Sequence, residues 1–399
     1  MPLKVLQICN KPPFPPVDGG TLAMNSVTTG LLESGCEVRV LTIYSDKHPL
    51  QQEHLTEEYR QQTRIEAIHI DLSIHPIGAA VALLCGESYH VKRFESKAFA
   101  ERIAEILKDE EYDIVHLESL YLTPYVPVIR QHSQARIVLR AHNVEHLIWQ
   151  RMAQSEKNLL KRWYLKKLAL ALRMYECEHL NDYDGIVSIT EKDADFFRQA
   201  GCRKPVVPVP FGIAPEPVEH VDEEPGSLFH IGSMDWMPNV EGVNWFLDEV
   251  WPTVHRQLPQ VRLYLVGRKM PEEMMQREIA GVTIVGEVPD AMYFIGSKQI
   301  NIVPLLSGSG IRVKIIEAMS AGKTVISTHV GAEGIHYTEG ENILIADTAE
   351  EFAAQIRHCM EDADDCRRIG ENAYSLILQE YSIEHTTEKI LNFYNTLLP

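Results

Sequence analysis

Three observations predict an α/β protein of two lobes, each a doubly wound, Rossmann-like parallel sheet. Strand-like apolar runs alternate with helical stretches through both halves of the chain, as βαβ units require. A single Pro- and Glu-rich stretch at 215–226 interrupts that rhythm and reads as a linker, because it cannot bury apolar surface. The 399 residues suit two or three domains of ordinary size, and a composition of 45% hydrophobic and 24% charged residues is that of a soluble globular protein.

The first half opens with a strand at Leu3–Cys9. A Pro/Gly-rich loop (Lys11–Gly20) and a helix from Thr21 to Glu33 follow, then a strand at Glu37–Thr42. Further strands are predicted at Ile65–Ile70, Asp113–Leu117, Ala135–Leu139, Gly185–Ile189 and Pro205–Val209, with helices between them. After the linker the pattern restarts with strands at Ser227–Ile231, Arg262–Val266, Thr283–Val285, Ile300–Pro304 and Thr324–Ser327, and helices at Val240–Val250 and Val313–Ala321. Domains are therefore expected at 1–214 and 227–379, with a ligand cleft between the strand C-terminal ends of the two lobes.

Several classes are excluded. No run of 18 apolar residues exists; the longest candidate, 76–85, is too short to span a bilayer. The N-terminal residues lack a signal-peptide pattern, and seven scattered cysteines without a C-x-x-C point to a reducing, cytoplasmic setting. The net charge of −18 is uneven: residues 1–215 carry 25 basic and 27 acidic side chains, and 216–399 carry 13 and 29. Nucleic acid is an unsuitable partner for such a surface, and an anionic ligand in the second half needs a local basic exception.

That exception is Val303-Pro304-Leu305-Leu306-Ser307-Gly308-Ser309-Gly310-Ile311-Arg312-Val313-Lys314-Ile315-Ile316-Glu317. A strand ends at Pro304, small residues (Ser307, Gly308, Ser309 and Gly310) let the backbone approach a ligand, and after Ile311 a helix begins with its positive end forward. Arg312 and Lys314 are cations where the macrodipole disfavours them, so an anion is expected opposite. Glu317, one turn on, suits two vicinal ribose hydroxyls. No metal site is expected, since none of three Asp-x-Asp triplets clearly ends an apolar strand. G-x-G-x-x-G is absent, which counts against NAD or FAD.

Glu317-Ala318-Met319-Ser320-Ala321-Gly322-Lys323-Thr324-Val325-Ile326 resembles the donor-site run of the GT-B glycosyltransferases, specifically the family 4 retaining group. The resemblance covers nearly the whole chain. It implies a GT-B fold with a central cleft and a C-terminal helix (380–399) crossing back onto the first lobe. It also implies a nucleoside diphosphate sugar, UDP- or GDP-linked, as co-substrate, with no cofactor. Glu317 takes the ribose-binding position; Ser309, eight residues earlier, stands where the family has its other glutamate. After the first strand of the second lobe the family places an Arg and a Lys on the diphosphate, whereas this chain has Gly232-Ser233-Met234-Asp235. Arg312 and Lys314 are the expected substitutes. In the first lobe Gly19 and Gly20 occupy the place of a Gly-Gly facing the donor phosphates. His142 is the catalytic candidate, with His116, Glu118 and Asn143 on the acceptor side; 76–94 is a weaker acceptor-side segment.

Residues 151–175 hold seven basic side chains and one acidic, and Leu160, Tyr164, Leu168 and Leu172 recur at i+4 beside Trp163. This is an amphipathic helix, either packed on its lobe or making peripheral contact with a membrane. The function expected is sugar transfer to a glycan or lipid-linked acceptor in cell-surface polysaccharide or glycolipid synthesis. Alternatives are a catalytically silent nucleotide-sugar-binding module and a GT-B nucleotide-sugar epimerase.

Overall fold

In a computed structural model, residues 2–75, 78, 82, 86–215, 221–308 and 310–399 are described. Most of the apolar run at 76–85, the core of the linker (216–220) and Ser309 lie outside the described residues. The chain divides into two compact units, residues 1–212 with 383–399, and residues 213–382.

The first unit is a sheet of seven parallel strands, β1 (Lys4–Cys9), β2 (Glu37–Tyr44), β3 (Glu66–His69), β4 (Ile114–Glu118), β5 (Arg136–Ala141), β6 (Gly185–Ser188) and β7 (Val206–Pro208), in the order β3-β2-β1-β4-β5-β6-β7. The second unit has six, β8 (Ser227–Ile231), β9 (Arg262–Val266), β10 (Val282–Gly286), β11 (Ile300–Val303), β12 (Thr324–Ser327) and β13 (Leu344–Ile345), in the order β10-β9-β8-β11-β12-β13. Each order reverses once, between β1 and β4 and between β8 and β11. Parallel doubly wound sheets bind ligands outside the strand C-terminal ends at such a switch.

Six helices matter below: α1 (Gly19–Glu33), α2 (Glu145–Ser155), α3 (Leu159–Glu178), α4 (Met237–Trp245), α5 (Val313–Ser320) and α6 (Ile383–Leu397). Strand side chains alternate between two core layers. Leu6, Ile8, Val115, Leu117, Ile137 and Leu139 join Phe99 and Ile103 on one face of the first sheet. Val5, Cys9, Ile114 and Val138 meet Met24, Val27 and Leu31 of α1 and Ile390, Phe393 and Tyr394 of α6 on the other. Gly185 permits this seating, because a Cβ there would stand 2.6 Å from the Phe393 ring.

Two sequence expectations, for the helices at 240–250 and 151–175, are corrected, and the end of the linker shows two ion pairs. The helix predicted at Val240–Val250 begins earlier, at Met237 with Pro238 in its first turn, and passes through a π-helical turn at Phe246–Val250 into a helix at Trp251–Gln257. The last acidic residues of the 215–226 stretch are anchored: Glu223 pairs with Lys323 and Glu224 with Lys298, each at 2.5 Å. The i+4 series on α3 is not one face. Steps of four residues precess about 40° each, so Leu160 is exposed while Leu168 and Leu172 are buried, and the inner stripe is Leu165, Leu168, Ala169 and Leu172.

Phe393→Ala should lower the stability of the first unit by about 3 kcal/mol through lost burial and a residual cavity. Urea unfolding measures it; an unchanged midpoint would mean that α6 is not part of that core.

Candidate functional site

In the second unit, β8 ends at Ile231 and β11 at Val303, on either side of the strand-order reversal. The segments that follow, 232–239 and 304–312, come together there. Lys314 projects from the first turn of α5, and its Nζ donates to Asn239 Oδ1 (2.5 Å) and lies 3.4 Å from His230 Nε2. His230 is fully buried, and its Nδ1 lies 2.9 Å from the Ile302 carbonyl, so Nδ1 carries the proton and Nε2 is free to accept from the ammonium. Asn239 Nδ2 in turn donates to the Ser233 carbonyl (2.8 Å). Gly232 makes the arrangement possible: a Cβ there would stand 2.7 Å from Lys314 Nζ and 2.8 Å from Asn239 Nδ2.

Arg312 is the N-cap residue of α5, with extended backbone and only 5% of its surface exposed. Its Nη1 donates to the Gly310 carbonyl (2.7 Å), and its guanidinium lies over the Trp236 ring at 5.2 Å. Gly308 and Gly310 have φ of +125° and +80°, conformations that a residue with a Cβ rarely adopts. At Gly308 a Cβ would also meet the Arg312 guanidinium at 2.7 Å and the Trp236 ring at 3.1 Å. Glu317 is half-buried one turn beyond Lys314.

Electrostatics follow from this crowding. Burial, reinforced by the charge of Arg312, lowers the pKa of Lys314 to about 7, against a smaller opposing pull from Glu317. Burial also pushes the Glu317 carboxyl up, with Lys314 resisting. His230 is driven well below the usual histidine range by burial and then by Lys314, so it stays neutral. Two cations crowd the start of one helix, and a bound anion would relieve both.

The first unit carries a polar cluster at its own switch point. Gln7 on β1, His116 and Glu118 on β4, and Arg140 on β5 are buried, and strand register sets Gln7 beside His116 and Glu118 beside Arg140. Glu118 accepts from Gln7 Nε2 (2.9 Å) and pairs with His142 Nε2 (2.8 Å) and His116 Nε2 (3.2 Å). Tyr394 of α6 bonds the remaining ring nitrogen of His116 at 2.5 Å. Burial works to raise the Glu118 pKa, but His116 and His142 outweigh it and hold the carboxyl well below the usual range. His142 keeps some exposure, 16% of its side chain, and is the member of the cluster that reaches solvent.

The sequence-predicted residues therefore fall into two groups. Gly232, Ser233, Gly308, Gly310, Ile311, Arg312, Lys314 and Glu317 lie on the converging loops and helix of the second unit. His142 and Asn143 follow β5 in the first. His116 and Glu118, expected on the acceptor side, are fully buried, so their place is behind His142. Gly19 and Gly20 do not form a loop. They are the first residues of α1, capped by Asp18, which accepts from Thr21 N and pairs with Lys11 at 2.7 Å. Sequence reading missed Asn239 and Trp236, though both stand in Trp236-Met237-Pro238-Asn239. It also missed Lys269, which follows β9 and pairs with Asp235 at 2.7 Å; the signal was a Gly-Arg-Lys directly after a predicted strand.

Two doubly wound parallel sheets in one chain, each with a single strand-order reversal, are the architecture of the GT-B fold class. A model of glycosyltransferase family 4 matches residues 17–217, and one for glycosyl transferases group 1 matches residues 225–362. The chain belongs to glycosyltransferase family 4. A protein from the cps region of Klebsiella pneumoniae, itself uncharacterized, is 24% identical over 291 residues, 70% of this chain and 74% of that one. Among solved structures, Anabaena HepE in complex with UDP is similar at TM-score 0.67 and 14% identity, covering 99% of this chain and all of HepE. Sucrose-phosphate synthase from Thermosynechococcus elongatus is similar at TM-score 0.67 and 16% identity, covering 99% of each chain.

The depressed Lys314 pKa makes a prediction for the ligand-free protein. Its unfolded value lies near 10.5 and its folded value near 7, so between those pH values the unfolded chain binds the extra proton and this group makes stability rise with pH. Lys314→Met should remove that rise in urea unfolding measured from pH 7 to 10; an identical slope in the variant would refute the assignment.

Proposed function

We propose that this family 4 glycosyltransferase is a retaining, metal-independent enzyme. In this reading it moves a sugar from a UDP-linked donor to a glycan or lipid-linked acceptor in cell-surface polysaccharide assembly. One observation carries it: Arg312, buried, and Lys314, half-buried, are held at the start of α5, with Lys314 Nζ seated where a side chain on Gly232 would otherwise stand. Such a pair suits a diphosphate, supplying the positive charge that a divalent cation supplies elsewhere. Glu317, half-buried one helical turn away, suits the ribose hydroxyls. UDP is favoured because Anabaena HepE was solved with UDP and with UDP-glucose. The cps-region relative favours a capsular or related polysaccharide as the product.

The chemistry asks little of the protein beyond placement. In a retaining transfer of this kind the leaving phosphate oxygen takes the acceptor proton, and positioned cations stabilise the charge that builds on it. His142 is the first-unit side chain assigned to the reacting sugar, and Glu118 fixes its ring. With Nε2–H donating to Glu118, the ring presents Nδ1 away from the carboxylate.

Calorimetry with UDP tests the reading. Arg312→Ala should weaken binding ten- to a hundred-fold, the loss expected for charge-assisted bonds of roughly 1.5–3 kcal/mol. Binding should also take up a proton above pH 7, because a diphosphate raises the Lys314 pKa, and affinity should fall as pH rises. Unchanged affinity in Arg312→Ala, with no proton uptake, would rule out this diphosphate site. Glu118→Gln should leave UDP affinity intact and lower turnover of UDP-sugar; equal turnover would remove the first-unit cluster from the mechanism.

A further inference from the structure

The α2–α3 hairpin carries none of the residues assigned above to sugar transfer. Six of the thirteen exposed large hydrophobic side chains among the described residues lie between 152 and 174: Met152, Leu159, Leu160, Trp163, Leu170 and Met174. On α3, Leu159, Trp163, Leu170 and Met174 share an arc of about 60° at 100° per residue, on the side away from Leu165, Leu168, Ala169 and Leu172. Their exposures are 73%, 55%, 50% and 60%. Leu160, 81% exposed, stands with Leu159 at the tip, just past the Asn158 cap. Scattered apolar side chains on a surface are ordinary, but four aligned on one side of a helix mark a contact surface.

Charge identifies what it contacts. Lys161, Lys166, Lys167 and Arg173 are exposed on the same helix, in a segment that is strongly basic within a chain of net charge −18. Lys166 and Lys167 stand about 20° to either side of the apolar arc, between Trp163 and Leu170 along the helix. The dry core of a protein interface is depleted in lysine, whereas at a bilayer a lysine lays its stem among the acyl chains and lifts its ammonium to the headgroups. A symmetric contact between two copies would set basic faces against each other. No helix among the described residues is long and apolar enough to cross a membrane.

We propose that the outer face of this hairpin docks on the surface of an anionic phospholipid bilayer, with Leu159, Leu160 and Trp163 inserted at the headgroup boundary and the lysines on the lipid phosphates. The docking stands independently of the sugar-transfer reading.

Sedimentation of the full chain with vesicles tests it. The chain should bind vesicles of equal parts phosphatidylcholine and phosphatidylglycerol and not phosphatidylcholine alone, and high salt should release it. Lys166→Ala with Lys167→Ala should lower partitioning roughly 30-fold. Leu159→Ser with Trp163→Ser should lower it at least tenfold. Both double variants should keep the wild-type urea midpoint and UDP affinity, since these side chains already face solvent. No binding to the anionic vesicles at low salt, or binding that neither variant weakens, would overturn the proposal. So would self-association that the Trp163 variant dissolves without any vesicle binding, which would make the face a contact between copies.

Discussion

The ammonium of Lys314 is the constraint around which the second unit is arranged. It sits at the positive end of a helix, beside a guanidinium and partly out of water, three circumstances that each disfavour a cation. Neighbouring residues make the position tenable. Asn239 and a neutral His230 accept from it, the Ile302 carbonyl holds the histidine in the tautomer that leaves Nε2 free, and Gly232 leaves room. Arg312 is steadied by Trp236 and the Gly310 carbonyl. Proteins retain such local disfavour where a ligand relieves it.

Both sheets use their switch points alike. Strand residues that would ordinarily be apolar become polar there: His230 on β8, and Gln7, His116 and Glu118 on the pair β1 and β4. The charges are arranged differently. The second unit gathers cations at a helix start, while the first sets two histidines and Arg140 around one buried carboxylate and ties His116 to α6 through Tyr394. The returning C-terminal helix thus belongs to the polar cluster of the first unit as well as to its apolar core.

The fold class was legible because β-strand and helix periodicities alternate cleanly, and strands such as Ser227–Ile231 and Arg262–Val266 fall where their apolar runs stand. The Arg312–Lys314–Glu317 group was legible for a related reason: a cation pair at a helix start contradicts local electrostatics and so draws notice. Burial direction was harder to read. His116 and Glu118 looked ligand-facing because they end a strand, yet α6, about 270 residues away in sequence, covers them. The α3 stripe was misread for a geometric reason, since an i+4 series drifts around a helix of 3.6 residues per turn. Asn239 was missed because its role depends on which loops meet, and sequence spacing does not carry that.

A crystal structure of the chain with UDP tests the central claim most directly. β-Phosphate oxygens should lie about 3 Å from Lys314 Nζ and the Arg312 guanidinium, and ribose hydroxyls on Glu317. A nucleotide bound elsewhere, with Lys314 still turned to Asn239 and His230 alone, would contradict it.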